Sequence, residues 1–315
     1  MSTSERFSGP VRSIGVVYRD DTPEVHGILE RFGRWASEHD VTLTVEVNAG
    51  RGPEAPLDVS KNPVDLIVAL GGDGTFLRAS RLAVGTATPV LGVNLGRLGF
   101  LTAVPDTELE RGLDIVLRGE ALLEHRFRLR ARIHGAPDTA TGESGGGAAH
   151  HDAVHHRDFY ALNDIVVHTS GAARVTPLTL SIGEVDDMEE VGSFGADGVI
   201  VSTPTGSTAY SMSAGGPIIV PEVEAVVVTP ICPHSLAVRP LVVPAAETVC
   251  IGSLDPDADH QLTVDGQVVH RMAPGERVVI GRDPDPMFLV RMPGQTFFKT
   301  MRSKLNWAAR SPERA

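Results

Sequence analysis

DLIVALGGDGT, Asp65 to Thr75, sets a nearly continuous apolar run against a glycine-rich turn and the head of a helical pattern. A run that is apolar at successive positions suits a strand covered on both faces, as the strands of parallel sheets are. The helical pattern that follows, Thr75 to Ala83, supplies one cover. Upstream, Val11 to Tyr18 reads as a strand, and Val41 to Val47 as another. Between them Val25, Ile28, Leu29, Phe32, Trp35 and Ala36 recur at helical spacing. A Gly/Pro-rich connector lies around Arg51 to Pro56. Downstream, Pro89 to Val93 is a strand and Leu109 to Leu117 a helix. Strands alternating with helices predict an α/β domain with an open, mostly parallel sheet.

The pattern changes near Glu120, where short Val/Ile/Thr-rich segments separated by Gly, Pro and Asp take over. These predict a second, mainly β domain of sandwich type. Helical character returns over Phe297 to Arg310 and is expected to pack back on the first domain. The expected division is thus 1–121, with 295–315 returning to it, and 122–294. His134 to Asp158 is Gly/Ala-rich and carries His150, His151, His155 and His156. No Cys accompanies these histidines, and the segment reads as a flexible, solvated insertion in preference to a metal site.

The chain has 315 residues, 42% of them hydrophobic, enough for two ordinary domains with substantial cores. Lys and Arg number 28 against 40 Asp and Glu, a formal charge of -12 that argues against a general nucleic-acid binder. Met1 to Pro10 is polar, and every apolar run is broken by Pro, Gly or charge, so a cytoplasmic protein with no membrane partner is expected. Cys232 and Cys250 sit beside apolar, β-like residues and read as two buried thiols, with a disulfide between them left open.

Three segments carry chemistry. In Gly71-Gly72-Asp73-Gly74-Thr75 the glycines let the backbone turn tightly and approach phosphates, and the helix start presents free amides. An Asp there repels phosphate unless it binds Mg²⁺ or takes a proton from an attacking hydroxyl; the plain alternative is that Asp73 caps the helix. No GxxxxGK[ST] loop occurs, so donor phosphates would be held by backbone amides and metal. The segment Gly198 to Pro221 runs from a short strand into Thr203-Pro204-Thr205-Gly206-Ser207-Thr208-Ala209-Tyr210, a hydroxyl-rich lining for a flat polar ligand, or else a helix-capping turn. Asn163-Asp164 interrupts the strand-like Tyr160 to His168, and a carboxylate there could accept from ribose hydroxyls, unless the pair marks a β-bulge or a strand end.

In combination these segments resemble the NAD kinases: GGDGT at 71–75, GVNLGRLGFL at 92–101, LND at 162–164, STPTGSTAYSMSAGGPI at 202–218, TPICPHSL at 229–236 and RSKLNW at 302–307, in family order. The resemblance implies transfer of a terminal phosphate from ATP or polyphosphate to the 2′-hydroxyl of the adenosine ribose of NAD, with Mg²⁺ or another divalent ion. It implies Asp73 as base or orienting group, and Gly71, Gly72, Gly74 and Thr75 near donor phosphates and metal. NAD would be contacted by Asp73, Gly74, Phe100, Asn163, Asp164, Thr205, Thr208, Ala209, Tyr210 and Ser213, with Asp197 near the nicotinamide end. A homo-oligomer, dimer or tetramer, is implied as well. Two departures stand out: Asp164 replaces the usual Glu, and Gly195 stands where many members have a basic residue. The alternatives are a lipid kinase of the same superfamily, disfavoured by the hydroxyl-rich block and the negative charge, and a non-catalytic NAD(H)-binding sensor, disfavoured by the intact Asp73.

Overall fold

A computed structural model describes residues 4–18, 25–47, 59–96, 99–135, 158–169, 176–185, 187–255 and 259–307. The chain divides into two compact units, 1–126 with 285–315 and 127–284. The first unit contributes β1 (Ser4–Arg6), β2 (Ser13–Tyr18), α1 (Val25–Glu38), β3 (Thr42–Val47), β4 (Leu66–Gly71), α2 (Asp73–Leu82), β5 (Val90–Asn94), β6 (Val104–Pro105), α3 (Leu109–Leu117) and β7 (Leu122–Arg126). The second contains β8 (Leu129–His134), β9 (Phe159–Ala161), β10 (Asp164–Thr169), β11 (Thr176–Glu184), β12 (Asp187–Ala196), β13 (Gly198–Ser202), the short α4 (Tyr210–Ser213), β14 (Ala225–Ile231), β15 (Leu241–Pro244), β16 (Thr248–Ser253), β17 (His260–Val264), β18 (Gln267–Met272) and β19 (Arg277–Arg282). The chain then returns to the first unit with β20 (Met287–Arg291) and α5 (Phe297–Leu305).

The first unit's sheet runs β1-β7-β20-β5-β4-β2-β3, with β6 beside β5. Strands β3, β2, β4, β5, β6 and β20 pair in parallel, and β7 pairs antiparallel with β20 and β1. The expected open, mostly parallel sheet is therefore present. Strand β4 is buried at all six positions, as its unbroken apolar run requires. Helix α1 buries Val25, Ile28, Phe32, Trp35 and Ala36, the stripe read from the sequence, while Leu29 packs at its edge. The strand order reverses between β2 and β4, so the carboxyl ends of these strands flank a switch point, where open α/β sheets bind ligands.

Two details differ from the sequence reading. Residues 122–126 and 287–291, read with the second domain, form β7 and β20 of the first sheet, because pairing between strands so far apart in sequence leaves no local pattern. The terminal helix stops at Leu305, where Asn306 adopts a left-handed conformation (φ 50°) that ends it.

The second unit holds two six-stranded antiparallel sheets, β15-β14-β13-β10-β17-β18 and β12-β11-β16-β19-β8-β9. Alternate residues of both enter one core: Leu129, Ala131 and Ile133; Ile165 and Val167; Val199 and Val201; Val249 and Ile251; Val278 and Ile280. The expectation of a sandwich rested on short Val/Ile/Thr-rich segments; their period of two is how such strands bury one face. Cys250 is buried as expected, whereas Cys232 is exposed: β14 ends at Ile231 and the next residue turns outward with φ 46°. Both thiols are free. The histidines at 150, 151, 155 and 156 and the connector at 51–56 lie outside the described residues.

Arg128 and Asp283, both almost fully buried, form an ion pair at 3.2 Å, and the Asp283 amide donates to the Arg128 carbonyl (2.8 Å). Removing one partner of a buried pair leaves a charge without its counter-ion. Arg128→Met should cost about 3–5 kcal/mol in urea unfolding, and Arg128→Met with Asp283→Leu should recover most of it. A double variant no more stable than the single would show that the pair is not the source of the loss.

Candidate functional site

At the carboxyl end of β4 the backbone turns through Gly71 and Gly72 into α2, whose first residue is Asp73. The helix thus begins two residues earlier than its apolar pattern suggested. Gly72 occupies the cap position and no side chain caps the helix there. Asp73 instead turns its carboxylate away from its own helix: Oδ2 accepts from the Phe100 amide (2.9 Å) and Oδ1 from the Leu101 amide (3.0 Å). The capping alternative is therefore not what holds this residue.

Gly99 packs directly against that carboxylate, and a Cβ at this position would overlap Asp73 Oδ1. The Gly99 amide donates to Thr102 Oγ1 (2.8 Å), which fixes the turn that presents both amides. Behind it, Arg291 Nη2 donates to the Phe100 carbonyl (3.0 Å) while Nε faces Glu124 Oε2 (3.4 Å), and Glu124 also pairs with Arg126. Burial pushes the Glu124 carboxyl up, but the Arg126 and Arg291 charges outweigh it and hold it below its ordinary value. Burial lowers the Arg291 value, opposed by Glu124 and also by the charge of Asp73.

Thr75, expected near phosphate, is buried, and its hydroxyl faces Gly71 with no hydrogen-bond partner among the described residues. The first-turn amides of α2, not this hydroxyl, are the donors that an anion could meet. Phe100 is half-buried, with its ring 6.4 Å from that of Phe297 at the head of α5.

In the second unit, Leu162 and Asn163 form the bend between β9 and β10, and Asp164 opens β10; the pair breaks the strand instead of lying inside it. Asp265 holds the bend: Oδ1 accepts from the amides of Asn163 (2.8 Å) and Asp164 (3.3 Å), and Oδ2 from that of Leu162 (3.1 Å). Its own amide donates to the Asp164 carbonyl (3.0 Å). Asp265 was not among the residues chosen from the sequence. Its only signal there is the Asp265-Gly266 turn between β17 and β18, which reads as an ordinary hairpin.

The hydroxyl-rich segment packs onto this bend. Thr203 Oγ1 donates to the Leu162 carbonyl (2.6 Å) and the Thr203 amide to the Asn163 carbonyl (2.9 Å). Gly206 approaches so closely that a Cβ would overlap the Asn163 carbonyl. Ser207 Oγ donates to the Pro204 carbonyl (2.6 Å) and accepts from the Ile219 amide (2.9 Å), and Ser211 meets Thr229 at 2.9 Å. Four of the hydroxyls, on Ser202, Thr203, Ser207 and Ser211, are thus buried structural groups. Thr208, Ala209, Tyr210 and Ser213 keep exposed surface, and Thr205 is 9% exposed. Asp197 does not join them: it precedes β13 at the end opposite Thr203, about 20 Å away at ~3.3 Å per residue, and is exposed.

Burial first, and the charge of Asp265 second, push the Asp164 carboxyl up to about 7. In the unfolded chain the same group titrates near 3.8, so the folded state is penalised progressively as pH rises from about 4 to about 7, and fully above that. Asp164→Asn removes the penalty: its Tm should exceed the parent's at pH 8 and show no such gain at pH 4. Thermal melts at the two pH values decide this, and an equal shift at both would count against the buried carboxylate as its cause.

The comparisons agree with the two-part organisation. A family described as the ATP-NAD kinase N-terminal domain matches residues 14–121, and one described as the ATP-NAD kinase C-terminal domain matches residues 162–292. The NAD kinase of Gemmatimonas aurantiaca is 43% identical over 250 residues, covering 79% of this chain and 80% of that protein. The NAD kinase of Heliobacterium modesticaldum is 37% identical over 297 residues, covering 93% and 98%. Among solved structures, an NAD kinase from Archaeoglobus fulgidus in complex with ATP superposes with a TM-score of 0.69 at 25% identity, over 93% of this chain and 98% of that one. Yeast NADH kinase complexed with NADH gives a TM-score of 0.80 at 24% identity, over 100% and 94%, a likeness of fold.

Proposed function

We propose, from the premise that this chain belongs to the NAD kinase family, that it phosphorylates the 2′-hydroxyl of the adenosine ribose of NAD to give NADP. The observation that carries the mechanism is the fixed carboxylate of Asp73 at the head of α2, beside a helix N-terminus that favours phosphate. In this reading the 2′-oxygen attacks the terminal phosphorus of ATP. The bond to the bridging oxygen breaks, ADP leaves, and the hydroxyl proton passes to Asp73 and then to solvent. Phosphoryl transfer of this kind depends mostly on positioning, so one carboxylate within hydrogen-bond reach suffices.

The other roles follow the family pattern. Gly71, Gly72 and Gly74 lend backbone to the donor phosphates, with polyphosphate an alternative donor; Thr75, given the same role by the family pattern, has a buried hydroxyl and an amide that donates to the Gly72 carbonyl (3.1 Å), so it supports the turn behind them. Phe100 lies against adenine. Asn163 and Asp164 hold adenine and ribose, and Thr205, Thr208, Ala209, Tyr210 and Ser213 line the dinucleotide. Asp197 takes the nicotinamide end in the family pattern; its distance along β13 leaves it apart from these groups. Among the described residues no group of three or more His, Cys, Asp or Glu side chains gathers as a metal site. The family pattern implies Mg²⁺, which would arrive on the phosphates of the nucleotide, keeping water and phosphate ligands, and would there neutralise charge on the transferring group. We take the protein to act in the cytoplasm as a homo-oligomer, in keeping with the family; among the described residues no helix is long and apolar enough to cross a membrane.

The test is incubation with NAD, Mg²⁺ and ATP or polyphosphate, with NADP detected through an NADP-specific dehydrogenase. Asp73→Asn should bind NAD normally and lose about 10²–10⁴-fold in kcat. Parent-like turnover in that variant would remove Asp73 from the mechanism, and NAD binding without NADP formation by the parent would remove the activity. Gly99→Ala, by crowding the carboxylate off its two amides, should lower kcat at least tenfold with NAD affinity kept. An unchanged kcat would show that the placement of the carboxylate is not critical.

A further inference from the structure

The peptide that joins Phe100 to Leu101 is held at both ends. Its N–H donates to Asp73 Oδ1 at 3.0 Å, and its carbonyl accepts from Arg291 Nη2 at 3.0 Å. In a trans peptide these two groups point in opposite directions, so guanidinium, peptide dipole and carboxylate stand in series. A cation at the carbonyl end and an anion at the amide end both polarise the peptide, and each bond strengthens the other.

We propose that Arg291 is a positioning residue for the reaction, acting through the Phe100–Leu101 peptide to hold the carboxylate of Asp73 in place; this rests on the reading of Asp73 as base. Burial and charge support the assignment. Arg291 is 6% exposed on β20, inside the first unit's sheet, and a guanidinium cannot shed its charge there. Its nearest carboxylate, Glu124, is shared with Arg126, and the negative charge of Asp73 acts on Arg291 as well. The donation to a loop carbonyl, one peptide from the reactive carboxylate, serves no strand pairing.

The fork geometry gives the test its shape. Arg291 reaches Phe100 and Glu124 together with separate nitrogens, whereas one ammonium at the end of a lysine keeps the charge but not both contacts. Arg291→Met should reduce kcat by about 10–100-fold with the Kd for NAD within about twofold, since a small displacement of a positioned group is costly to rate. Arg291→Lys should fall between the two, about three- to tenfold below the parent, with a Tm close to it.

Asp73→Asn is assayed alongside. The expected order of kcat, parent above Lys above Met with unchanged NAD affinity, supports the positioning role. Parent-like kcat in either folded Arg291 variant, beside an inactive Asp73→Asn, overturns that role and leaves the reading of Asp73 intact. Should Arg291→Met fail to fold, the lysine variant decides alone, and parent-like kcat in it is again the overturning result. Parent-like turnover in Asp73→Asn overturns both readings. A loss of Tm in the two Arg291 variants with no loss of kcat identifies Arg291 as a structural residue and overturns the proposal.

Discussion

Asp73 accepts hydrogen bonds from two successive amides, those of Phe100 and Leu101, and the first unit is arranged around this contact. A carboxylate at the head of a helix is stabilised by the helix dipole, but it could adopt several rotamers there. Two amides from another part of the chain leave one geometry. That requires a turn at 99–102 with no side chain at Gly99, a hydroxyl at Thr102 to close it, and parallel strands β4 and β5 adjacent so that both segments leave the same edge of the sheet. The returning strand β20 then supplies the guanidinium behind the turn. Four stretches, near 73, 100, 124 and 291, therefore meet through one carboxylate and the charges around it.

The second unit is built on a comparable device. Asp265 gathers three consecutive amides of the bend at 162–164, and the turn after β13 is bonded onto the same bend by Thr203 and packed against it at Gly206. Seen this way, the hydroxyls of 202–213 divide between two tasks. Those that are buried bond backbone carbonyls and amides, giving a non-repetitive loop the partners that a strand or helix would have had. Those left at the surface, with Ala209 and Tyr210, are the ones a dinucleotide could touch.

The charges in both units carry a cost in stability that the sandwich and sheet cores offset. Asp164 is buried beside a second acid, which is unfavourable to the ionised form. Arg291 and Arg126 share one carboxylate in the first sheet. Such groups are often found where chemistry needs them, and those next to Asp73 and the 162–164 bend interrupt the apolar interiors of Leu, Val and Ile, as Arg128 and Asp283 do elsewhere in the second unit.

By itself the sequence determined what depends on local pattern. The unbroken run of β4 announced a buried parallel strand, the stripe of α1 its inward face, and the short Val/Ile/Thr-rich segments the mainly β second domain. The glycine-flanked Asp73 and the LND and STPTGSTAY segments stood out as candidate site stretches, since small residues and clustered hydroxyls are local traits. Tertiary structure alone decided which groups act on one another. That Asp73 faces the amides of 100 and 101 and is not a helix cap, that Asp265 holds a bend about a hundred residues away, and that β20 carries Arg291 back to the first sheet are pairings between distant segments. So too is the burial of Thr75, whose hydroxyl the motif made look available to a phosphate. Periodicity reports which face of an element is covered, not what covers it, because a backbone amide that answers a carboxylate carries no side-chain signature.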